Sequence, residues 1–306
     1  MRYLRWLLLF LLLAAPAWAG QLRQGPPYGE ISRWLQSRQL VLAGYNGVTN
    51  ADLIAFFRGK AAWYGEAAGN PAFTSAGQRR VTTERAAEVM GYRSAAEFLS
   101  EIPFAGNARL GDIAKENEAA RGCLNRLLPM VRPVTFAYSP ETDIGVAVLH
   151  GDAGGDDGML AEVYQTVAGS PKLKRMVEGD LPYRPSAATG ASSYDGVIVD
   201  VSAFNVHPAL FNRLFTSAGE TVYTPLFLPP ERYAETGGVL LATSQGQARK
   251  LLASRGSRNP LMVKALEGSR GADVRIGDAN AAQILATERT SGIFRAGRVA
   301  LVFRVK

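Results

Sequence analysis

Asp200, Ser202 and His207 are the residues of this sequence whose types and spacing could support a reaction. All three lie in the stretch YDGVIVDVSAFNVHPAL, residues 194–210. A serine nucleophile needs a histidine base within hydrogen-bond reach and a carboxylate that orients the base. On an extended chain Asp200 and Ser202 project to the same side, while His207 follows a turn and precedes Pro208. The stretch therefore offers one local arrangement for hydrolysis.

A structural role for the same residues is favoured by the surrounding sequence. The chain has no G-x-S-x-G motif, which would expose a serine on a strained turn. GVIVDV is a continuous apolar run, which is typical of a strand buried on both faces of a sheet. We expect Asp200 to accept backbone hydrogen bonds at a strand end and His207 to pack against Pro208. No catalytic residue is assigned, and a hydrolase or a small-ligand site around Asp200 and His207 is the alternative.

Motifs for metals and cofactors are not found in the sequence. The two histidines, His150 and His207, belong to no H-E-x-x-H motif, and no glycine-rich loop has the register of a nucleotide site. Asp152, Asp156 and Asp157 of GDAGGDDG could offer oxygen ligands to calcium, but their spacing matches no EF-hand loop. We predict a flexible connector there, and no metal or cofactor. A carboxylate pair for glycosidic chemistry stays open, because such residues meet only in the folded chain.

The first residues have the layout of a secretory signal peptide over residues 1–19. Arg2 and Arg5 precede an apolar run over residues 7–15, and small residues end at Ala19 and Gly20, where we expect cleavage. The run is too short to span a bilayer, although an uncleaved anchor is the alternative. We expect a mature chain in the periplasm or outside the cell, without a transmembrane helix.

Composition restricts the partners. The chain has 34 Lys and Arg against 27 Asp and Glu, a net charge of +7. The basic residues are scattered and are not interleaved with aromatic residues, so the pattern does not favour nucleic acid. The one cysteine, Cys123, cannot form an internal disulfide and is expected to be a small buried residue on a helix.

The periodicity of apolar residues predicts an α+β fold. The predicted divisions are a helical extension over residues 20–77, helices over an antiparallel sheet over 78–178, a linker over 179–193, and a strand-rich α+β domain over 194–306.

Several elements are predicted within these divisions. Asn50 is expected to cap a helix that runs to residue 68, and a helix from residue 78 is expected to stop at Gly91, before a new one that Ser94 opens. VTFAY and IGVAVLH are predicted to form a hairpin. LMVKAL and ADVRIG are predicted to pair with each other, Asp278 to open a helix, and RVALVF to be a strand.

The order of motifs in the carboxy-terminal part resembles one bacterial family. YDGVIVDV, PAL, GETVY, NPLMVKAL, ADVRI and RVALVF follow one another as related runs do in the lipoprotein-20 family, which includes FlgP-like flagellar proteins of the outer membrane. The resemblance covers residues 78–306. It implies a non-catalytic envelope protein with structural or assembly roles, envelope partners and a homo-oligomeric state. Many members carry a lipid-attached cysteine where this sequence has Gly20, so a lipid anchor is not carried over.

Overall fold

The computed structural model describes residues 22–44, 46–185 and 192–305. The predicted signal peptide with its cleavage site at Ala19 and Gly20 lies outside these residues, as does the middle of the predicted linker. We call residues 22–178 the amino-terminal part and residues 192–305 the carboxy-terminal part. The elements of the amino-terminal part are α1 (Tyr28–Arg38), β1 (Val41–Leu42), α2 (Asn50–Phe57), β2 (Ala61–Ala68), α3 (Ala76–Glu101), β3 (Pro103–Ala105), β4 (Ala108–Arg109), α4 (Leu110–Glu116), α5 (Glu118–Leu127), β5 (Arg132–Ser139), β6 (Ile144–His150), α6 (Met159–Gly169) and α7 (Pro171–Glu178).

The carboxy-terminal part alternates short strands with three helices in the range that the structure describes. Its elements are β7 (Gly196–Asp200), β8 (Asn205–Val206), β9 (Arg213–Phe215), β10 (Thr221–Tyr223), α8 (Pro230–Thr236), β11 (Leu240–Ala242), α9 (Gln245–Ser254), β12 (Pro260–Lys264), β13 (Arg270–Gly271), β14 (Asp273–Arg275), α10 (Asp278–Ser291) and β15 (Val299–Val302). Helices and sheets on this scale make the chain an α+β protein, as predicted.

The first sheet has the strand order β1-β2-β6-β5. The predicted hairpin is confirmed, because β5 and β6 pair antiparallel from Arg132 opposite His150 to Ser139 opposite Ile144. Helix α3 packs against β2 and β6 on one face, and α1 contacts β5 and β6. The strands β1 and β2 come from the predicted helical extension, so the sheet joins residues on both sides of residue 77. The predicted domain divisions stay predictions.

The helix predicted from Asn50 to residue 68 is wrong in its second half. Helix α2 ends at Phe57, and Gly59 turns the chain with a positive φ of 63° into β2. Strand β2 is covered on both faces, so AAWYGEAA lacks the alternation that marks a half-exposed strand. The cap is Thr49, which forms a capping box with Asp52.

The break predicted at Gly91 is absent, because α3 continues from Ala76 to Glu101. Gly91 lies against Gly65 of β2, and a Cβ on Gly65 would overlap the carbonyl oxygen of Ala87 and the amide nitrogen of Gly91. These two glycines let the helix approach the strand backbone to backbone. Gly91 therefore serves packing and does not end the helix.

Two sheets form the carboxy-terminal part. The order β11-β15-β7-β12 makes a fully parallel sheet, and β10-β9-β14-β13-β8 makes a mixed one. Strand β7 is interior and buried, and β15 is a strand, both as predicted. The predicted pairing of LMVKAL with ADVRIG is wrong: β12 pairs with β7, and β14 pairs with β9 and β13. Each strand is apolar enough to enter either sheet, so composition does not distinguish the partners.

A column of four aromatic rings joins the two parts of the chain. Phe104 of β3 packs on Phe211 with 5.0 Å between ring centroids, Phe211 stacks on Tyr233 at 5.3 Å, and Tyr233 contacts Tyr164 of α6 at 5.0 Å. The hydroxyl of Tyr233 donates to the carbonyl of Leu210, and that of Tyr164 to the carbonyl of Leu228. One hydrophobic cluster accordingly includes residues of both parts.

The hairpin of β3 and β4 fastens this seam through its backbone. The amides of Leu210 and Phe211 donate to the carbonyls of Pro103 and Phe104, and the amide of Ala272 donates to Gly106. None of the described helices has the length and apolar character needed to cross a bilayer.

Replacing Gly65 with alanine tests the contact between α3 and β2. The new Cβ meets backbone atoms that cannot rotate away, so we expect a loss of about 3 kcal/mol or more in the free energy of unfolding, at the upper end of overpacking costs. The matched control is Gly77→Ala in the first turn of α3, where only Ser75 Oγ lies near, at 3.8 Å. It should be neutral or stabilise by up to about 1 kcal/mol. Urea unfolding measures both, and equal effects would contradict the proposed packing.

Candidate functional site

Asp200 lies at the carboxyl end of β7, an interior strand of the parallel sheet. Its carboxylate accepts hydrogen bonds from the Ser202 amide at 3.1 Å, the Ser202 hydroxyl at 2.6 Å and the Gln245 side-chain amide at 3.3 Å. Burial raises the pKa of Asp200, but these hydrogen bonds and the charge of Lys264 outweigh burial, so the pKa is lowered. The expectation that Asp200 accepts a backbone hydrogen bond at a strand end is confirmed.

Ser202 is a partner of Asp200 and has no histidine as a base. Its hydroxyl donates to the Asp200 carboxylate, and its carbonyl accepts a hydrogen bond from Arg304 Nε at 3.1 Å. A hydroxyl that donates to a carboxylate in a turn closes the turn, and activation would need a neutral base positioned for transfer. The geometry gives Ser202 the role of stabilising the chain as it leaves β7.

His207 is bound to Asn50, which comes from the other part of the chain. His207 Nδ1 lies 2.7 Å from Asn50 Oδ1, and the Asn50 amide nitrogen donates to the carbonyls of Arg304 at 2.9 Å and Val206 at 3.4 Å. Because these carbonyls fix the orientation of the amide, Asn50 Oδ1 accepts and His207 Nδ1 carries the proton. Burial and the charge of Arg109 lower the pKa of His207.

The predicted trio is therefore not assembled by hydrogen bonds among the described residues. Asp200 bonds to Ser202 and Gln245, whereas His207 bonds to Asn50. Nothing in the sequence marked Asn50 as the partner of His207, since the two are 157 positions apart. Only the capping analysis singled out Asn50, and it assigned the residue a different role.

His207 borders a cleft of about 500 Å³ at the seam, which we call the His207 cleft. Asn107 and Arg109 line it from the β3–β4 hairpin, and Asn205 and Arg270 line it from the mixed sheet. Arg109 is paired with Glu101, which also borders the cleft. The lining is polar and carries two guanidinium groups, which are suited to an anionic group of a ligand.

The other residues with reactive groups are placed structurally. Cys123 is buried on α5, as predicted, and burial raises the pKa of its thiol to about 11. Within the ranges that the structure describes, no three His, Cys, Asp or Glu residues group as metal ligands.

The predicted flexible connector GDAGGDDG is packed against α8 and the start of α6. Ala153 is fully buried, the amide of Gly155 donates to the carbonyl of Ala234, and the amide of Met159 donates to Asp152. Its glycines allow close approach to α8, where a Cβ on Gly154 would lie 3.0 Å from the Glu235 carbonyl oxygen. The glycine and aspartate content was read as solvation, although here it serves close packing.

One family match was found. Residues 196–304 match the family described as Treponema pallidum Tp0624, second domain. The match begins at the first residue of β7 and ends two residues after β15, so it includes both carboxy-terminal sheets. No curated protein matches the chain.

Replacing His207 with glutamine is expected to make the protein less sensitive to mild acid. The fold lowers the pKa of His207 below its ordinary value of 6.5, so the folded state binds fewer protons than the unfolded state once the pH falls below that value. Stability supplied by neutral His207 is thus complete above about pH 7 and is lost as the pH falls toward the lowered pKa.

The measurement is the free energy of unfolding in urea at steps between pH 8 and pH 5, for wild type and His207→Gln. The difference between the two proteins should stay constant from pH 8 to 7 and then shift in favour of the variant. A difference that does not change over the whole range would show that His207 titrates alike in both states.

Proposed function

We propose that the chain is an exported, non-catalytic protein of the cell envelope that acts in the assembly or structural support of an envelope complex. The observation that carries this proposal is the use of its reactive residues as structural links. Asp200 and Ser202 close the turn after β7, and His207 joins Asn50 across the seam. A residue whose polar atoms already hold the fold together is poorly placed to exchange partners during a reaction.

Export is part of the proposal and rests on the amino-terminal sequence. The basic, apolar and small-residue segments over residues 1–20 are typical of a cleaved signal peptide. The periplasm or the outside of the cell is the expected location. The resemblance to the lipoprotein-20 family adds a flagellar or outer-membrane complex as the expected partner.

A structural role also agrees with the seam. The aromatic column and the backbone hydrogen bonds of the β3–β4 hairpin bind the two parts together. Such a body can present several surfaces in fixed relative positions, which an assembly component requires. Val81 and Val89 of α3 are 57% and 66% exposed, so part of that helix offers apolar surface to a partner.

Affinity purification from the native envelope, followed by light scattering, tests the assembly role. We expect defined partners or a homo-oligomer of fixed mass, both retained by Asp200→Asn and His207→Gln, because neither change removes a partner surface. Cells with an untagged chain are the control. A monomer that brings no protein with it would contradict the proposal, and an activity lost in His207→Gln with unchanged melting would favour an enzyme instead.

Binding of a small anion in the His207 cleft is a second candidate, favoured by its size and its two arginines. Inorganic phosphate and citrate are suitable probes. We expect either one to raise the melting temperature of wild type and to lose most of this effect in Arg270→Ala. Arg249→Ala removes the same charge from exposed α9, outside the cleft, and should behave as wild type. Equal responses of the two variants would leave the cleft without a ligand role.

A further inference from the structure

Strand β2 is much longer than the neighbour on one of its two edges. It runs over eight residues, Ala61–Ala68, and all but the first pair with β6. On the other edge β1 pairs only with Ala61 and Ala62. The remaining stretch, residues 63–68, is about 20 Å long at the usual rise of a strand. We call it the open edge of β2.

The orientation of the backbone along this edge follows from the observed hydrogen bonds. The carbonyls of Lys60 and Ala62 accept from β1, while the amide of Gly69 donates to Asp143 in line with β6. Even-numbered residues of β2 therefore direct their N–H and C=O groups away from β6. Among the described residues, the backbone groups of Glu66 and Ala68 form no hydrogen bond on that side.

The open edge forms the floor of a groove of about 520 Å³. One wall is α3, which contributes Met90, Ser94 and Phe98, and the other is the loop after β1, which contributes Gly44 and Val48. Met90 is 43% exposed, so the helix wall offers apolar surface at the level of the strand. A strand edge between a helix and a glycine-containing loop has the dimensions to take one extended segment.

The charge of the lining selects the chemistry of that segment. Glu66, Glu97 and Glu101 border the groove, and no lysine or arginine is among the described residues that do so. Their ion-pair partners Arg23, Arg93 and Arg109 lie outside the lining. An extended segment with basic side chains would therefore meet carboxylates on both walls.

We infer that the open edge of β2 docks an extended basic and apolar peptide segment of a partner protein, which adds to the first sheet as a fifth strand. Backbone groups of Glu66 and Ala68 supply the main-chain hydrogen bonds, Met90 and Phe98 contact alternate apolar side chains, and the glutamates contact the basic ones. This inference deepens the proposed assembly role by naming the class of partner segment.

The experiment uses the purified chain and an acetylated, amidated hexapeptide of alternating lysine and valine. Calorimetry measures the Kd, and amide hydrogen exchange of Glu66 and Ala68 reports strand addition. We expect binding, at least tenfold slower exchange at both amides, and at least tenfold weaker binding of the glutamate–valine peptide. Because no envelope partner is involved, failure here leaves the co-purification result standing, and the reverse also holds.

Two variants locate the site. Ser94→Trp fills the groove from α3 and should weaken the lysine–valine peptide at least tenfold. Ser37→Trp is the matched control: Ser37 lies exposed on α1 and, like Ser94, donates to a carbonyl of its own helix. Glu97→Gln, which leaves the fold unstrained, should weaken binding severalfold, and Glu84→Gln, on α3 outside the groove, should not.

Three results would overturn the inference. They are equal affinity for the two peptides, binding that Ser94→Trp leaves unchanged, and unchanged exchange at Glu66 and Ala68. A fourth is self-association in ultracentrifugation that Ser94→Trp abolishes, since the groove would then hold a second copy of this chain.

Discussion

The aromatic column at the seam is the interaction on which the rest of the structure depends. Phe104, Phe211, Tyr233 and Tyr164 bring their rings from both parts of the chain, and each is buried. Large rings contribute the most apolar area for each ordered side chain, and the tyrosine hydroxyls are satisfied by carbonyls of the opposite wall. The column therefore sets the spacing of the two parts, and with it the width of the His207 cleft.

Polar side chains complete the same seam. Arg213 forms a bidentate pair with Asp273 and also donates to the Met176 carbonyl, while Arg58 donates to the carbonyl of Leu241 on the edge strand β11. Each of these groups is wholly or partly removed from water and satisfied by a partner distant in sequence, which fixes one register between the parts. The polar residues of this protein thus specify how the two parts dock.

The sequence predicted features that depend on neighbours along the chain. The apolar run of β7, the hairpin of β5 and β6, and the Ser244 cap of α9 are local patterns, and all three occur. Patterns with two physical meanings were misread: Gly91 ends helices in general but here allows contact with β2. The bond between Asn50 and His207 could not be predicted, because it depends on the docking of parts that are remote in sequence.

The strand order of the parallel sheet has a consequence for how the chain is made. Strand β15 lies between β11 and β7, and these two earlier strands do not pair with each other. Synthesis proceeds from the amino terminus, so β7 and β11 leave the ribosome while the place between them is still empty. The sheet can close only after residues 299–302 have emerged, and its interior contacts form late and over long sequence distances.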